Sequence, residues 1–364
     1  MKPVWQALAW TSGVIGAAVT GAAVGVAAHS TRAAVQRKGE DAFVEEPLGR
    51  LRPDRHSTVA ADDGVPLSVQ EIGPAAGGDP ALTVVFVHGF ALDSRCWHFQ
   101  RRDLPELLGP KVRLVLFDHR SHGRSGHSSK KNSTIDQLGR DLDAVLRAAA
   151  PRGPIALVGH SMGGMTIMAL AEQNPRLFAD RVRAVALVGT SAGQLGEAGL
   201  PRTWLSRANP VPRGLALLSE LNPGLVERTR KMGDRLSWSI IRALSFGDRK
   251  VSPAVVDLMA EMIGATTVEV VTDFLETIGL HDRKKALAAL NTCEVLVLSG
   301  DLDKLTPFTP HAEVLAGELP DATLVKVEGA GHPVMLERPE LVTDEIVAML
   351  RRATGLKFKK GTGS

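Results

Sequence analysis

Six predominantly apolar runs of strand length constrain this chain more than any other feature. They are "LTVVFVHG" (82–89), "VRLVLFDH" (112–119), "IALVGHS" (155–161), "VRAVALVGT" (182–190), "EVLVLSG" (294–300) and "ATLVKVEG" (322–329). Runs so short, so rich in β-branched residues and with so few polar residues suit strands of a sheet covered on both faces. Between most of them lie helical patterns such as "TIDQLGRDLDAVLRAAA" and the final "LVTDEIVAMLRRA". Buried strands alternating with helices predict an α/β architecture, a mostly parallel central sheet with helices on both faces. Ahead of the runs, "HSTVAADDG" and "PLSVQEIG" alternate like a hairpin turning at Asp63–Gly64. Between Thr190 and Glu294 the rhythm stops, and amphipathic helical patterns such as "PAVVDLMAEMIGATTVEVVTDFLETIGL" replace the strands. That insertion reads as a helical lid over the carboxyl ends of the strands, where open α/β sheets place their sites.

The third run ends in "VGHSMGG", so Ser161 falls on the turn between a strand and a helix. Such a turn strains the backbone at the serine and admits no bulky Cβ two positions to either side, where Gly159 and Gly163 stand. This is the G-x-S-x-G pattern, in which the hydroxyl is exposed and the next N–H, that of Met162, points at whatever the hydroxyl attacks. In a chain with 36 glycines the pentapeptide arises readily by chance, so the partners of the serine decide.

A serine hydroxyl needs a base to take its proton and a third group to orient that base. Both belong at strand ends after the elbow. "SGDLDKLTP" (299–307) offers Asp301 and Asp303, and "GAGHPVMLERP" (329–339) offers His332. The chain order is serine, aspartate, histidine.

On these motifs, residues from about His56 to Ala353 resemble the α/β-hydrolase superfamily. The resemblance implies the α/β-hydrolase fold with a helical lid, Ser161 as nucleophile and His332 as base. The family's acid sits in a G-x-x-D segment, which falls on Gly300 to Asp303 and favours Asp303; Asp301 is then a loop carboxylate capping the turn. The implied oxyanion hole joins the Met162 N–H to that of Phe90 in "HGF", with His88 bracing the loop. "FDHRSHGRS" (117–125) is similar to the family's D-x-R-G-x-G-x-S segment; Asp118 and Arg120 are expected to make structural hydrogen bonds, and Ser121 stands where glycine is usual.

A serine nucleophile disfavours the relatives that attack with aspartate, the epoxide hydrolases and haloalkane dehalogenases. The former also use lid tyrosines, and this chain has none. The preferred reading is a serine hydrolase, carboxylesterase- or lipase-like, that cleaves an ester of an apolar acyl chain through an acyl-enzyme, with no cofactor and no metal. Thioester or amide hydrolysis, carbon–carbon cleavage and cofactor-free haloperoxidase-like perhydrolysis share the same machinery. A non-catalytic membrane-anchored binding protein is the reading from another class, and the complete serine, aspartate and histidine set argues against it. In the insertion, Trp204, Trp238, Met259, Met262 and Phe274 are candidates either for an acyl pocket or for the lid's own core, with Trp204, Trp238 and Phe274 the favoured pocket residues.

A net charge of +3 with scattered basic residues argues against a nucleic-acid partner. Cys96 and Cys293 show no metal-binding spacing and read as buried, reduced thiols. Residues 7–28 contain 22 positions without a charge, about 33 Å of helix, enough to cross a bilayer. Residues 1–28 are expected to form a membrane anchor, with a cleaved signal peptide and an exported enzyme, or a peripheral or docked helix, as the alternatives. Arg32, Arg37 and Lys38 outnumber Lys2, which tilts the catalytic domain to the cytoplasmic side. The remaining organisation is expected to be a linker over 29–55, a core over 56–193 and 291–353, a lid over 194–290 and a disordered basic tail over 354–364.

Overall fold

The computed structural model describes residues 41, 43–74, 80–196 and 238–359. The expected anchor helix and Trp204 lie outside the described residues. Among the described residues no helix is long and apolar enough to cross a membrane.

Eight strands form one sheet: β1 (Arg55–Ala60), β2 (Pro66–Ile72), β3 (Leu82–Val87), β4 (Val112–Phe117), β5 (Ile155–His160), β6 (Val182–Val188), β7 (Glu294–Gly300) and β8 (Thr323–Val327). Their spatial order is β1-β2-β4-β3-β5-β6-β7-β8, and β2 alone runs against its neighbours. Each of the six apolar runs is a strand of this sheet, and the expected hairpin is β1–β2. Strands β3, β4 and β5 are buried throughout, and β6 everywhere except at Arg183.

The helices that matter to the site are α1 (His98–Leu108), α2 (Ile135–Ala149), α3 (Met162–Gln173), α4 (Pro253–Ala265), α5 (Val268–Gly279) and α6 (Pro339–Thr354). Alternation along the strands feeds two cores. Val84, Phe86, Ala156, Val158, Leu296 and Leu298 pack toward one face with α1 and α6. Val85, Val87, Leu157, Val185, Leu187 and Val297 pack toward the other with α2 and α3. The chain leaves β3 for β4 on one side and reaches β5 on the other. The crevice beyond the carboxyl ends of β3 and β5 is therefore the topological switch point, where a site is expected.

The described part of the insertion between β6 and β7 is helical. Ser252 caps α4 and Thr267 caps α5, each side chain accepting a backbone N–H of the first turn. The short stretch 245–247 lies against the loop after β8: the His332 N–H donates to Ser245 O at 2.8 Å.

Two expectations for the ends of the chain need correction. The described part of the stretch read as a linker is docked on α1 and α4. Phe43 meets the Phe99 ring at 4.9 Å, the Glu46 carboxylate accepts from His98 at 2.7 Å, and Asp41 accepts from the Ser252 hydroxyl and from the Ala254 N–H at 3.1 Å. The beginning of the tail is docked too. Gly355 ends α6 in the left-handed conformation, and the chain then folds back. Leu356 and Phe358 thereby pack on the core, and the Lys359 N–H donates to Leu107 O at 3.0 Å. In both stretches a few apolar residues amid charge find cover, which local composition does not reveal. The thiols are unpaired; Cys96 is buried, while Cys293 is only partly so, and burial pushes its pKa up to about 12.

Candidate active site

Ser161 sits between β5 and α3 at φ 51° and ψ −117°, a strained combination for a residue with a side chain. The surroundings hold it there. Its N–H donates to Val188 O at 2.9 Å, and its carbonyl accepts from the Gly164 N–H at 2.9 Å and the Thr190 hydroxyl at 2.7 Å. The flanking glycines are required by space. A Cβ on Gly163 would fall 2.1 Å from Val87 O, and one on Gly159 would fall 2.7 Å from the Gly163 carbonyl. Met162 opens α3, so its N–H is one of the donors that the helix itself leaves unpaired.

The loops after β7 and β8 bring Asp303 and His332 together. The His332 Nδ1–H donates to Asp303 Oδ2 at 2.8 Å, and both side chains are nearly withdrawn from solvent. Asp303 also accepts the N–H groups of Leu305 and Thr306 at 2.8 and 2.9 Å and the Thr306 hydroxyl at 2.8 Å. Burial alone would raise its pKa, but the His332 charge and these donors outweigh it and hold the carboxyl below its ordinary value. Asp301 does different work: its Oδ1 accepts the Gly329 N–H at 2.7 Å, tying two loops together. Of the two aspartates, Asp303 is the one that meets His332.

His160 links the elbow to this pair, a role that the sequence reading misses. Its Nε2–H donates to the His332 carbonyl at 3.1 Å, and its ring lies 4.7 Å from the His332 ring. A Cβ on Gly89 would come within 2.6 Å of its Nδ1, so the ring lies beneath the loop that carries Phe90. Burial, then the neighbouring His332, lowers its pKa to about 3, which leaves it a neutral spacer. The available signal is a histidine ending an otherwise apolar strand.

His88 braces its loop. Its Nδ1–H donates to Gly89 O at 2.8 Å, and its Nε2 accepts the His119 N–H at 2.9 Å. Asp118 accepts the Ser94 and Arg124 N–H groups, each at 2.9 Å. The fully buried Arg120 guanidinium spans Asp141 at 2.6 Å and Asp63 at 2.7 Å. Ser121 adopts φ 63°, the left-handed backbone for which glycine is the usual choice.

Above the elbow, Met162, Met165, Ile135, Leu138, Leu195, Val270, Phe274 and Ile278 form one apolar cluster with Phe90 packed against it. Phe274 of α5 and Phe90 of the β3 loop meet at 6.4 Å. His122 joins them, 5.5 Å from the Phe274 ring. Its Nδ1–H donates to Arg120 O at 2.9 Å, so Nε2 offers a buried lone pair that has no partner among the described residues. Trp238 lies elsewhere: it packs with Phe246, Val255, Met259 and Met262 in the core on the α1 side of the sheet. The structure therefore groups Phe274, Phe90, Met162 and the elbow, and does not group Trp238 with them. Among the described residues no three histidine, cysteine or carboxylate side chains are arranged to hold a metal ion.

Comparison with known proteins bears on the fold and family. A non-heme chloroperoxidase of Streptomyces lividans is 27% identical over 298 residues, 81% of this chain and 99% of its own. Proline iminopeptidase PfmaB of Pestalotiopsis fici is 28% identical over 247 residues, 67% of this chain and 84% of its own. Among solved structures, a thermophilic esterase from Thermogutta terrifontis superposes with a TM-score of 0.63 at 24% identity, covering 82% of this chain and 99% of its own. The enol-lactonase from Burkholderia xenovorans gives 0.63 at 24% identity over 81% and 99%. At such identities the two structures speak for the fold. The model of the alpha/beta hydrolase family matches residues 84–345, from β3 to α6 and through the loops that carry Phe90, Ser161, Asp303 and His332, and the chain belongs to that family.

Proposed function

We propose that the protein is a serine hydrolase that cleaves esters of apolar acyl chains through an acyl-enzyme. The observation that carries this reading is the buried His332–Asp303 pair, joined at 2.8 Å and packed through His160 against the strained elbow of Ser161. In the proposed reaction His332 Nε2 takes the Ser161 proton as Oγ attacks the acyl carbonyl. The charge that develops on the carbonyl oxygen is held by the N–H groups of Phe90 and Met162. Collapse breaks the ester bond, and the alcohol leaves with the proton carried by His332. Water then repeats the sequence on the acyl-serine, with His332 again as base. Asp303 keeps Nδ1 protonated and stabilises the imidazolium. The apolar cluster of Met162, Val270 and Phe274 with Phe90 supports an apolar acyl group, and the insertion that carries α5 would act as the lid.

A panel of p-nitrophenyl esters of increasing acyl length tests the reading. The expected result is an optimum at chains long enough to reach Phe274, together with covalent modification of Ser161 by a fluorophosphonate, located by peptide mass spectrometry. Hydrolysis indifferent to acyl length would remove the acyl-pocket assignment. The chloroperoxidase relative favours a second reading, perhydrolysis, in which hydrogen peroxide replaces water and the acyl group leaves the serine as a peracid. Peroxide- and acetate-dependent bromide oxidation would reveal it.

We further propose that residues 7–28 anchor the protein with its hydrolase domain on the cytoplasmic side. Full-length protein should then fractionate with membranes and withstand carbonate, because the hydrophobic effect is not screened by salt. A chain that retains Asp41, whose carboxylate accepts from the first turn of α4, should be active without them. Full-length protein recovered uncleaved in the soluble fraction would rule out the anchor.

A further inference from the structure

A cavity of about 550 Å³ lies between the stretch 49–53, β2, the start of α1 and the loop around Gly123. Its walls are cationic. Arg50, Arg52, Arg95, Arg101 and Arg124 line it, against two carboxylates, Asp93 and Asp118. Among the described residues neither carboxylate pairs with the guanidinium of Arg50, Arg52, Arg101 or Arg124. Asp93 is held by Arg95 at 2.9 Å, and Arg95 also reaches Glu261 at 2.5 Å. Asp118 directs its oxygens to the backbone N–H groups of Ser94 and Arg124.

Arg101 is the informative member. It is 9% exposed, and its one hydrogen bond among the described residues runs from Nη1 to Gln70 Oε1 at 2.8 Å. Gln70 is itself oriented by donating to the Ser94 hydroxyl at 3.1 Å. Arg101 Nη2 is buried with no hydrogen-bond partner among the described residues. A buried guanidinium without a carboxylate is costly, and an unpaired donor on it more so. Burial lowers its pKa, with the field of Asp54 only partly opposing. A buried cation with an unused donor, at the wall of a cavity that three further guanidiniums line without carboxylate partners among the described residues, suits an anion.

We propose that this cavity binds a phosphate group, with Arg101 as its buried anchor and Arg50, Arg52 and Arg124 closing on it from the rim. The guanidinium fork matches the oxygens of phosphate in pairs, and several forks can share one dianion, whereas a carboxylate would leave most of the wall uncompensated. The volume falls within the range of small-molecule sites and admits more than the phosphate alone. The ligand is therefore a free phosphate compound or a phosphomonoester lipid headgroup, which share this chemistry.

The test is calorimetric titration and thermal melting of the full chain with sodium phosphate, against sodium chloride at equal ionic strength, and binding to phosphatidylcholine vesicles with or without phosphatidic acid. Phosphate should raise the melting temperature where chloride does not, and Arg101→Met should weaken the binding by at least about tenfold. Arg124→Ala, at an exposed position, should weaken it several-fold without altering the melting temperature in phosphate-free buffer; it decides the matter if Arg101→Met does not fold. A response to phosphatidic-acid vesicles alone, lost in the same variants, would identify the headgroup as the source. Equal responses to phosphate and chloride, no response to either phosphate source, or undiminished binding by both variants would overturn the proposal.

Discussion

Ser161→Ala is expected to lower ester hydrolysis by about 10⁴- to 10⁶-fold, the scale seen when the nucleophile of a serine triad is removed. The melting temperature should hardly move, since alanine accepts the same backbone and the Ser161 contacts that fix the elbow come from its N–H and carbonyl, not its hydroxyl. Fluorophosphonate labelling should vanish with the activity. The aspartates provide an internal comparison in the same assay. Asp303→Asn removes the charge that His332 Nδ1–H faces at 2.8 Å and offers an amide able to impose the wrong tautomer, so a loss of about 10⁴-fold is expected. Asp301→Asn keeps an oxygen for the Gly329 N–H, and its activity should stay within a few-fold of wild type. A serine-to-alanine variant with more than a few per cent of wild-type rate would refute the nucleophile, and the reverse order of the two asparagine variants would exchange the roles of the aspartates.

Legible in the sequence is what local pattern encodes. Largely apolar runs mark the strands, and β3 to β7 are almost wholly buried, whereas β8, at the sheet edge, alternates between partly buried and exposed positions until Val327. The elbow is legible because its steric demand is local: Gly159 and Gly163 sit two positions from Ser161 and touch backbone. The site's supporting contacts are not, because they join residues far apart in the chain. His160 and His332 are separated by 172 positions, and nothing near either announces the other. The docking of Phe43 on Phe99, the return of Phe358 onto the core and the placement of Trp238 away from Phe274 depend likewise on surfaces that exist only after folding. Arg101 is the extreme case, an arginine on an ordinary amphipathic helix whose environment, with Gln70 rather than a carboxylate as its hydrogen-bond partner among the described residues, is set by three other segments.

Buried imidazoles, His122 and His160 at the site and His281 after α5, should make the fold sensitive to mild acid. Burial chiefly lowers the pKa of His122 and His160 to about 3 and that of His281 to about 4, so each remains neutral in the folded chain well below its ordinary value of 6.5. In the unfolded chain each takes up a proton as the pH falls through 6.5. The unfolded state therefore binds more protons throughout that window, and the stability present above it is lost as the solution is acidified. Each ring withdraws about 1.4 kcal/mol for each pH unit below 6.5, so the three together remove about 4 kcal/mol by pH 5.5, a large share of a typical folding free energy. Asp303, whose pKa is lowered, adds to the loss only below 3.8, its ordinary value. Urea unfolding at pH 7.5 and 5.5 measures the difference directly. His281→Gln retains a donor for Ser191 O, which His281 Nε2–H reaches at 3.1 Å, and should remove that ring's own share of the pH dependence, about 1.4 kcal/mol between the two pH values. Stability that does not change between the two pH values, or a slope unaltered by that substitution, would show that these rings are not held neutral by the fold.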